Sequence, residues 1–320
     1  MQISRRAVAV LAATALTASV AFAQAWPAKP IRLIVPFPAG GGTDIITREV
    51  ANKVAGYNFV IDNKPGSGGN LGVDAAAKAA PDGTTLVMGQ TSNLAISPTL
   101  YSSLPYDPVK DLTPISLVAS SPLVIVASAK SPFHTLADIV KEAKAHPGSI
   151  NFASSGNGTV AHLATDAFQK IAGIKLTHIP YKGASQGATD VISGDVQLYV
   201  SSIPTLLGHI KSGKMRAIAV TSAKRVDDLP QVPTVAESGY KGFEAVTWFG
   251  VLGPAKLPKD MVARLNADIN KALKDPALKA KLGAQGAEVA GSTPEQFARL
   301  ISDENTRWEK IVKESGAKVD

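Results

Sequence analysis

From residue 31 onward, short β-type apolar runs alternate with stretches of helical spacing. Ile31-Arg32-Leu33-Ile34-Val35 is a β-type run, followed by Pro36-Phe37-Pro38 and then Ala39-Gly40-Gly41-Gly42. Thr43 and Asp44 open a helical pattern in which Ile46, Val50 and Val54 share one face, and Gly56 stands where a terminating glycine belongs. A second strand is predicted over 59–61. Next come the loop NKPGSGGNLG (63–72), an alanine-rich helix to about residue 80, a Pro81-Asp82-Gly83 turn and a strand over 84–89.

The same order returns later. A strand over 150–153 runs into Ser154-Ser155-Gly156-Asn157-Gly158-Thr159, and a helix with Val160, Leu163, Ala167 and Ile171 on its inner face ends near Gly173. A strand over 175–179, the loop Pro180-Tyr181-Lys182-Gly183, a helix to about residue 192 and a strand over 196–200 complete the unit. Such βα alternation predicts parallel sheets with helices on both faces. Two lobes would carry their glycine loops at corresponding carboxyl ends of strands, where open α/β sheets bind ligands. Apolar runs at 121–126 and 245–251 read as crossovers between the lobes. Helices are predicted over 258–274, 276–283 and 294–315, the last capped by Ser292 or Thr293 with Gln296 near the capping-box position. This tail would return to the first lobe.

Residues 1–25 read as an address. Arg5 and Arg6 precede an uncharged apolar run over 7–22, and Ala21-Phe22-Ala23 and Ala23-Gln24-Ala25 offer small residues for cleavage. The expectation is a signal peptide and secretion. The run is too short and too rich in Ala and Thr to span a membrane easily.

Composition narrows the chemistry. The 320 residues include no cysteine, which excludes disulfides, thiolate metal sites and a cysteine nucleophile. Five histidines show no close ligand spacing, so neither a metal nor a cofactor is expected. The formal charge of +7 is scattered and lacks interleaved aromatics, which argues against nucleic acid and suits a small anionic ligand.

The two glycine loops carry the strongest local signal. Glycines after a strand let backbone N–H groups converge on an anion, and the following helix N-terminus adds its dipole. The alternative reading is a pair of ordinary turns. Neither loop has the P-loop lysine or the dinucleotide fingerprint, and no G-x-S-x-G elbow or paired acid and base is present. His162 could donate to a bound carboxylate or simply support its loop. Trp248 could wall a cleft, although an apolar strand more commonly buries its tryptophan.

The segments PAKPIRLIVPFPAGGGTDIITREVA, NKPGSGGNLG, YDPVKDLTPIS, FASSGNGTVAHLA, IPYKGASQGATDVISGDV, MRAIAVTSAKRVDDLPQVPTVAESGY and WFGVLGPAKLP resemble the tripartite tricarboxylate transporter receptors, also called Bug proteins. The resemblance covers essentially all of the chain after the leader. It implies an α/β, two-lobed periplasmic-binding-protein fold (Venus flytrap, type II-like) with a cleft between the lobes. Lobe I would comprise 26–121 plus 248–320, and lobe II 122–247. It further implies a monomeric, non-enzymatic receptor that delivers a small organic carboxylate to membrane permease subunits. By resemblance, ligand contacts fall on Phe37, Pro38, Ala39, Gly40, Gly41, Gly42, Thr43 and Asp44, and on Ser154, Ser155, Gly156, Asn157, Gly158 and Thr159. Tyr181, Lys182, Gly183 and Ala184 would lie by the same cleft. His162 joins the candidates, and Gln90, Thr91, Ser201 and Ser202, at strand ends, are assigned to the remote end of the ligand. A secreted α/β hydrolase using the same anion-binding loops is the competing expectation.

Overall fold

Four of the five residues of Ile31–Val35 (β1) are buried, as an apolar run in the middle of a doubly covered sheet requires. Phe59–Asn63 (β2) and Thr85–Gln90 (β3) pair with it in parallel. Gly42–Ala51 (α1) and Asn70–Ala77 (α2) supply the crossovers. The computed structural model describes residues 26–27, 29–182, 184–317 and 319. The signal-peptide expectation for 1–25, and Gly183, lie outside the described residues.

After β3 a π-helical turn, Ser92–Ile96, leads into the short helix Ser97–Leu100 (α3). Then comes one 17-residue strand, Leu112–Ser128 (β4). The run expected at 121–126 is only its second half. Up to Pro122, β4 pairs antiparallel with Val246–Pro254 (β9), which in turn pairs antiparallel with β3. From Leu123 onward it lies between Leu198–Ser202 (β7) and Met215–Val220 (β8). One strand therefore belongs to two sheets.

The second sheet contains Asn151–Ser154 (β5) between Thr177–Pro180 (β6) and β7, all parallel. The first sheet runs β2-β1-β3-β9-β4 and the second β6-β5-β7-β4-β8. The two five-strand orders correspond strand for strand, each with one antiparallel member; the two-residue strand Glu288–Val289 (β10) adds to the first sheet, antiparallel to β4. All-parallel sheets were expected, so this is a correction. The antiparallel member in each sheet is the segment that crosses from one lobe to the other, and periodicity within a strand does not report its partner's direction.

Leu136–Ala145 (α4), Val160–Ala172 (α5), Ala184–Ser193 (α6) and Ile203–Lys211 (α7) surround the second sheet. Lys259–Leu273 (α8), Pro276–Gly283 (α9) and Pro294–Ser315 (α10) return the chain to the first. The ends of α10 follow from local chemistry. Thr293 and Gln296 form a reciprocal capping box, Pro294 sits in the first turn, and Gly316 closes the helix in the left-handed region at φ 69°. Gly173 closes α5 in the same way at φ 61°.

The second connection between the sheets is tied to β4 by Thr221. Its Oγ1 accepts from the Leu123 N–H at 2.8 Å and donates to the Ala245 carbonyl at 2.6 Å. Its own N–H donates to Leu123 O, and Ala245 N–H donates to Thr221 O. Thr221→Val keeps the shape and strands a buried N–H, which should cost about 1–3 kcal/mol. Urea unfolding measures this loss; unchanged stability would mean that Thr221 does not clamp the crossover.

Candidate functional site

Three helices begin in one small space between the lobes. Gly41, Gly42 and Thr43 at the start of α1, Thr159, Val160 and Ala161 at the start of α5, and Ser201, Ser202 and Thr205 at the start of α7 all line one chamber of about 50 Å³. Gln90, Ser92, Ser155 and Thr247 complete its polar wall, and no charged side chain lines it. The N–H groups of Thr43, Asp44 and Ala161 have no protein acceptor among the described residues, as expected for first-turn amides. The N-cap residues of α1 and α7, Gly41 and Ser202, give no side-chain cap to their own helices. Three converging dipoles and free N–H groups favour a small anion without any cation.

The lobes meet here through two reciprocal hydrogen bonds. Gly42 N–H, the first of α1, donates to Thr205 Oγ1 of α7 at 2.9 Å. Val160 N–H, the first of α5, donates to Ser92 Oγ at 3.2 Å. Each lobe thus caps a helix of the other. A Cβ at position 42 would overlap Ser202 Oγ, so glycine permits the approach.

Asp44 is not in the chamber wall, although it was expected to contact ligand. Its carboxylate accepts from Gly40 N–H at 2.9 Å, from Arg48 Nε at 3.0 and 2.9 Å, and from Asn63 Nδ2 at 2.9 Å. Asn63 Nδ2 also donates to Phe37 O at 3.0 Å. Burial pushes the Asp44 carboxyl up, but the Arg48, Gly40 and Asn63 hydrogen bonds outweigh it and hold the group below the usual range. Asp44 braces the first loop from behind.

The second loop rests on a stack of rings. Phe152, His178 and His162 lie face to face, with centroids 4.7 and 4.1 Å apart. His162 Nδ1 accepts from Gly158 N–H at 3.2 Å and its Nε2 lies 3.2 Å from Asp166, so this residue supports the loop and does not line the chamber. Ser154 is fully buried, with Oγ 2.6 Å from His178 Nε2. Gly158 has φ 72°, and a side chain there would overlap Leu100 of the other lobe. It lies against Leu100 and lines neither chamber.

A second chamber of about 460 Å³ adjoins the first, sharing Phe37, Pro38 and Ser155. It brings together Gly156, Asn157, Tyr181 and Lys182 with Tyr101 and the 65–69 turn. Of the expected residues, Phe37, Pro38, Gly41, Gly42, Thr43, Gln90, Ser155, Thr159, Ser201 and Ser202 line the first chamber. Ala39 and Gly40 are exposed and line neither chamber. Thr91 is turned away, its Oγ1 accepting from Trp248 N–H at 3.0 Å. Trp248 itself is core, edge-on to Phe297, with Nε1 donating to Glu304. Ala184 begins α6, and its side chain is outside the described set.

Ser92, Thr205 and Thr247 were missed. Thr205 had a readable signal, since Pro204 in the first turn after Ser201-Ser202 marks a helix start. Ser92 and Thr247 had none, because their roles depend on partners distant in sequence.

A family model described as tripartite tricarboxylate transporter family receptor matches residues 46–317. Protein BugT of Bordetella pertussis is 40% identical over 316 residues, covering 98% of this chain and 97% of that one. The solved structure of R. palustris Rpa4515 with adipate is 34% identical, with TM-score 0.89 over 92% of this chain and 100% of that one. MatC from Rhodopseudomonas palustris with bound malate is 29% identical, with TM-score 0.84 over 90% and 100%. The periplasmic binding protein BugD is 33% identical, with TM-score 0.87 over 92% and 99%.

Two predictions follow from the geometry. Removing either interlobe cap should weaken closure by about 1 kcal/mol, roughly a fivefold change in the closed-to-open ratio. Small-angle scattering should show Ser92→Ala with Thr205→Val expanded relative to the unmodified protein, and identical curves would refute the caps. The second concerns acid. Burial, reinforced by neighbouring His162, pushes His178 from 6.5 down to about 3. The unfolded chain therefore binds the extra proton first, and stability falls as pH drops from about 6.5 towards 3. His178→Gln should flatten that slope in denaturation measured across this range; an unchanged slope would place the acid sensitivity elsewhere.

Proposed function

The chain belongs to the tripartite tricarboxylate transporter receptor family, and from that premise we propose that it binds one carboxylate group of a small organic acid at the three converging helix N-termini. The observation that carries this reading is a chamber lined by helix-start amides and hydroxyls with no lysine, arginine or histidine in its wall. A carboxylate there is held by neutral donors and dipoles, which suits a ligand that must be released again.

The remaining assignments extend the same reading. Residues 26–121 with 248–320 form lobe I, and 122–247 form lobe II. Gly41, Gly42, Thr43, Ser155, Thr159 and Ala161 face the carboxylate, while Gln90, Ser201 and Ser202 bound its far side. The receptor delivers its ligand as a monomer to membrane permease subunits of a tripartite tricarboxylate transporter. Export through a signal peptide at residues 1–25 places it in the periplasm, the location of its family. No helix among the described residues is long and apolar enough to cross a membrane.

The hydrolase reading finds no support. The Ser154–His178 contact has the elements of a nucleophile and base, but Ser154 has no exposed surface. With its pKa near 3, His178 would also be a feeble base at neutral pH. We assign the protein no catalytic residue.

A ligand that binds only the folded state raises the melting temperature by mass action. A panel of carboxylic acids should therefore include stabilisers, and excess chelator should leave their effect unchanged. Their amides or alcohols should give none. Stabilisation by amides equal to that by acids, or dependence on a divalent ion, would overturn the carboxylate assignment.

A further inference from the structure

His162 can hold its loop in only one protonation state. Its Nδ1 accepts from Gly158 N–H at 3.2 Å, and an imidazole nitrogen accepts only through a free lone pair. The proton of the neutral ring therefore sits on Nε2, which lies 3.2 Å from the Asp166 carboxylate. Elsewhere in the loop, Gly156 N–H donates to Ser154 Oγ at 3.2 Å and Thr159 Oγ1 donates to Gly156 O at 2.9 Å. Of these three anchors, only the one at Gly158 has an acceptor that a proton can remove.

The titratable groups that face the ring are Asp166 on its own helix and His178 of β6, stacked on it with centroids 4.1 Å apart. Lys182, after β6, is exposed beside Asn157 in the second chamber. The last helix, α10, meets α5 farther along, where Lys170 Nζ donates to Glu314 O. The first lobe brings Leu100 and the Tyr101 ring to Gly158. Burial holds His162 below its ordinary value, and the Asp166 charge opposes this only in part.

Resting on the carboxylate reading above, we propose that His162 is a positioning residue that couples ligand release to proton uptake from solvent. Neutral His162 fixes Gly158 and, through it, the first amides of α5. A proton on Nδ1 sets two donors against each other, and a cation in the first turn of α5 also opposes the helix dipole. The loop then parts from the ring. Gly158 leaves Leu100, Val160 N–H leaves Ser92 Oγ, and Thr159 and Ala161 leave the chamber wall. Closure and the anion site are lost together. The released ring binds the proton more readily than the held one. Affinity is therefore full above about pH 6.5, the value of a free imidazole, and is lost as pH falls through the lower value of the held ring.

Magnetic resonance of the isotope-labelled, unmodified protein tests the switch first, without any ligand. Titrated from about pH 8 to about pH 4.5, the Gly158 amide should shift with the same midpoint as the His162 ring. His178, at about 3, stays neutral over this range. Asp166→Asn removes the negative partner and should lower that midpoint. Binding is then measured with formate, the smallest carboxylate, and with formamide as its neutral counterpart. In His162→Asn the Oδ1 can take the place of Nδ1 without titrating, and the ionisation of formate itself is the same for both proteins. Between about pH 7.5 and 4.5 the unmodified protein should lose about threefold more formate affinity than His162→Asn, or a larger factor. A His162 ring that does not titrate above about pH 4.5, a Gly158 amide indifferent to its midpoint, or equal formate profiles in the two proteins would overturn the coupling while the carboxylate reading stands. Formamide matching formate, or no formate binding at neutral pH, would instead bring down the carboxylate reading itself. The amide titration decides the switch even where a variant fails to fold.

Discussion

A helix N-terminus cannot satisfy its own first N–H groups, and this molecule points three such ends at one another across a cleft. That unmet demand organises the site. Part of it is met across the lobes, by Thr205 on Gly42 and by Ser92 on Val160. Part is left at Thr43, Asp44 and Ala161. One N–H of the α1 start and one of the α5 start thus join the lobes, while their neighbours at Thr43 and Ala161 stay without a protein acceptor among the described residues. Neutral donors of this kind need no charged partner that would hold the ligand too firmly to release.

Bringing the ends together is the work of β4. A strand that pairs with β9 in the first sheet and stands as the antiparallel insert of the second holds both sheets in one frame. The equivalent strand orders then place the carboxyl ends of β1 and β5 toward the same space, with their glycine loops facing. Only two connections need to flex, and Thr221 joins them by hydrogen bonds to Leu123 and Ala245.

Behind each glycine loop stands a bracing group that does not itself reach the chamber. Asp44 gathers Gly40, Arg48 and Asn63 behind the first loop; His162 and His178, stacked on Phe152, lie behind the second. Asp44 was expected by resemblance to touch ligand, and His162 either to do so or to support its loop; both side chains are engaged with the backbone of the loop beside them. A loop with several glycines has many conformations available, and only fixed partners keep its N–H groups aimed.

What the sequence by itself determined was everything written in neighbouring residues. The run Ile31–Val35, the left-handed Gly173, and α9 and α10 with the Thr293 cap are all set by spacing and capping chemistry within a few residues. The family resemblance rests on the same local motifs. The tertiary structure alone decided which strands run antiparallel, that β4 serves two sheets, and that Ser92 and Thr205 cap the opposite lobe. It also decided that Thr91 turns to Trp248 and Asp44 to its own loop, away from the cleft. Periodicity records which face of an element is buried but not what lies against it. The partners of Ser92 and Thr205 lie 68 and 163 residues away along the chain, and only folding brings them within reach.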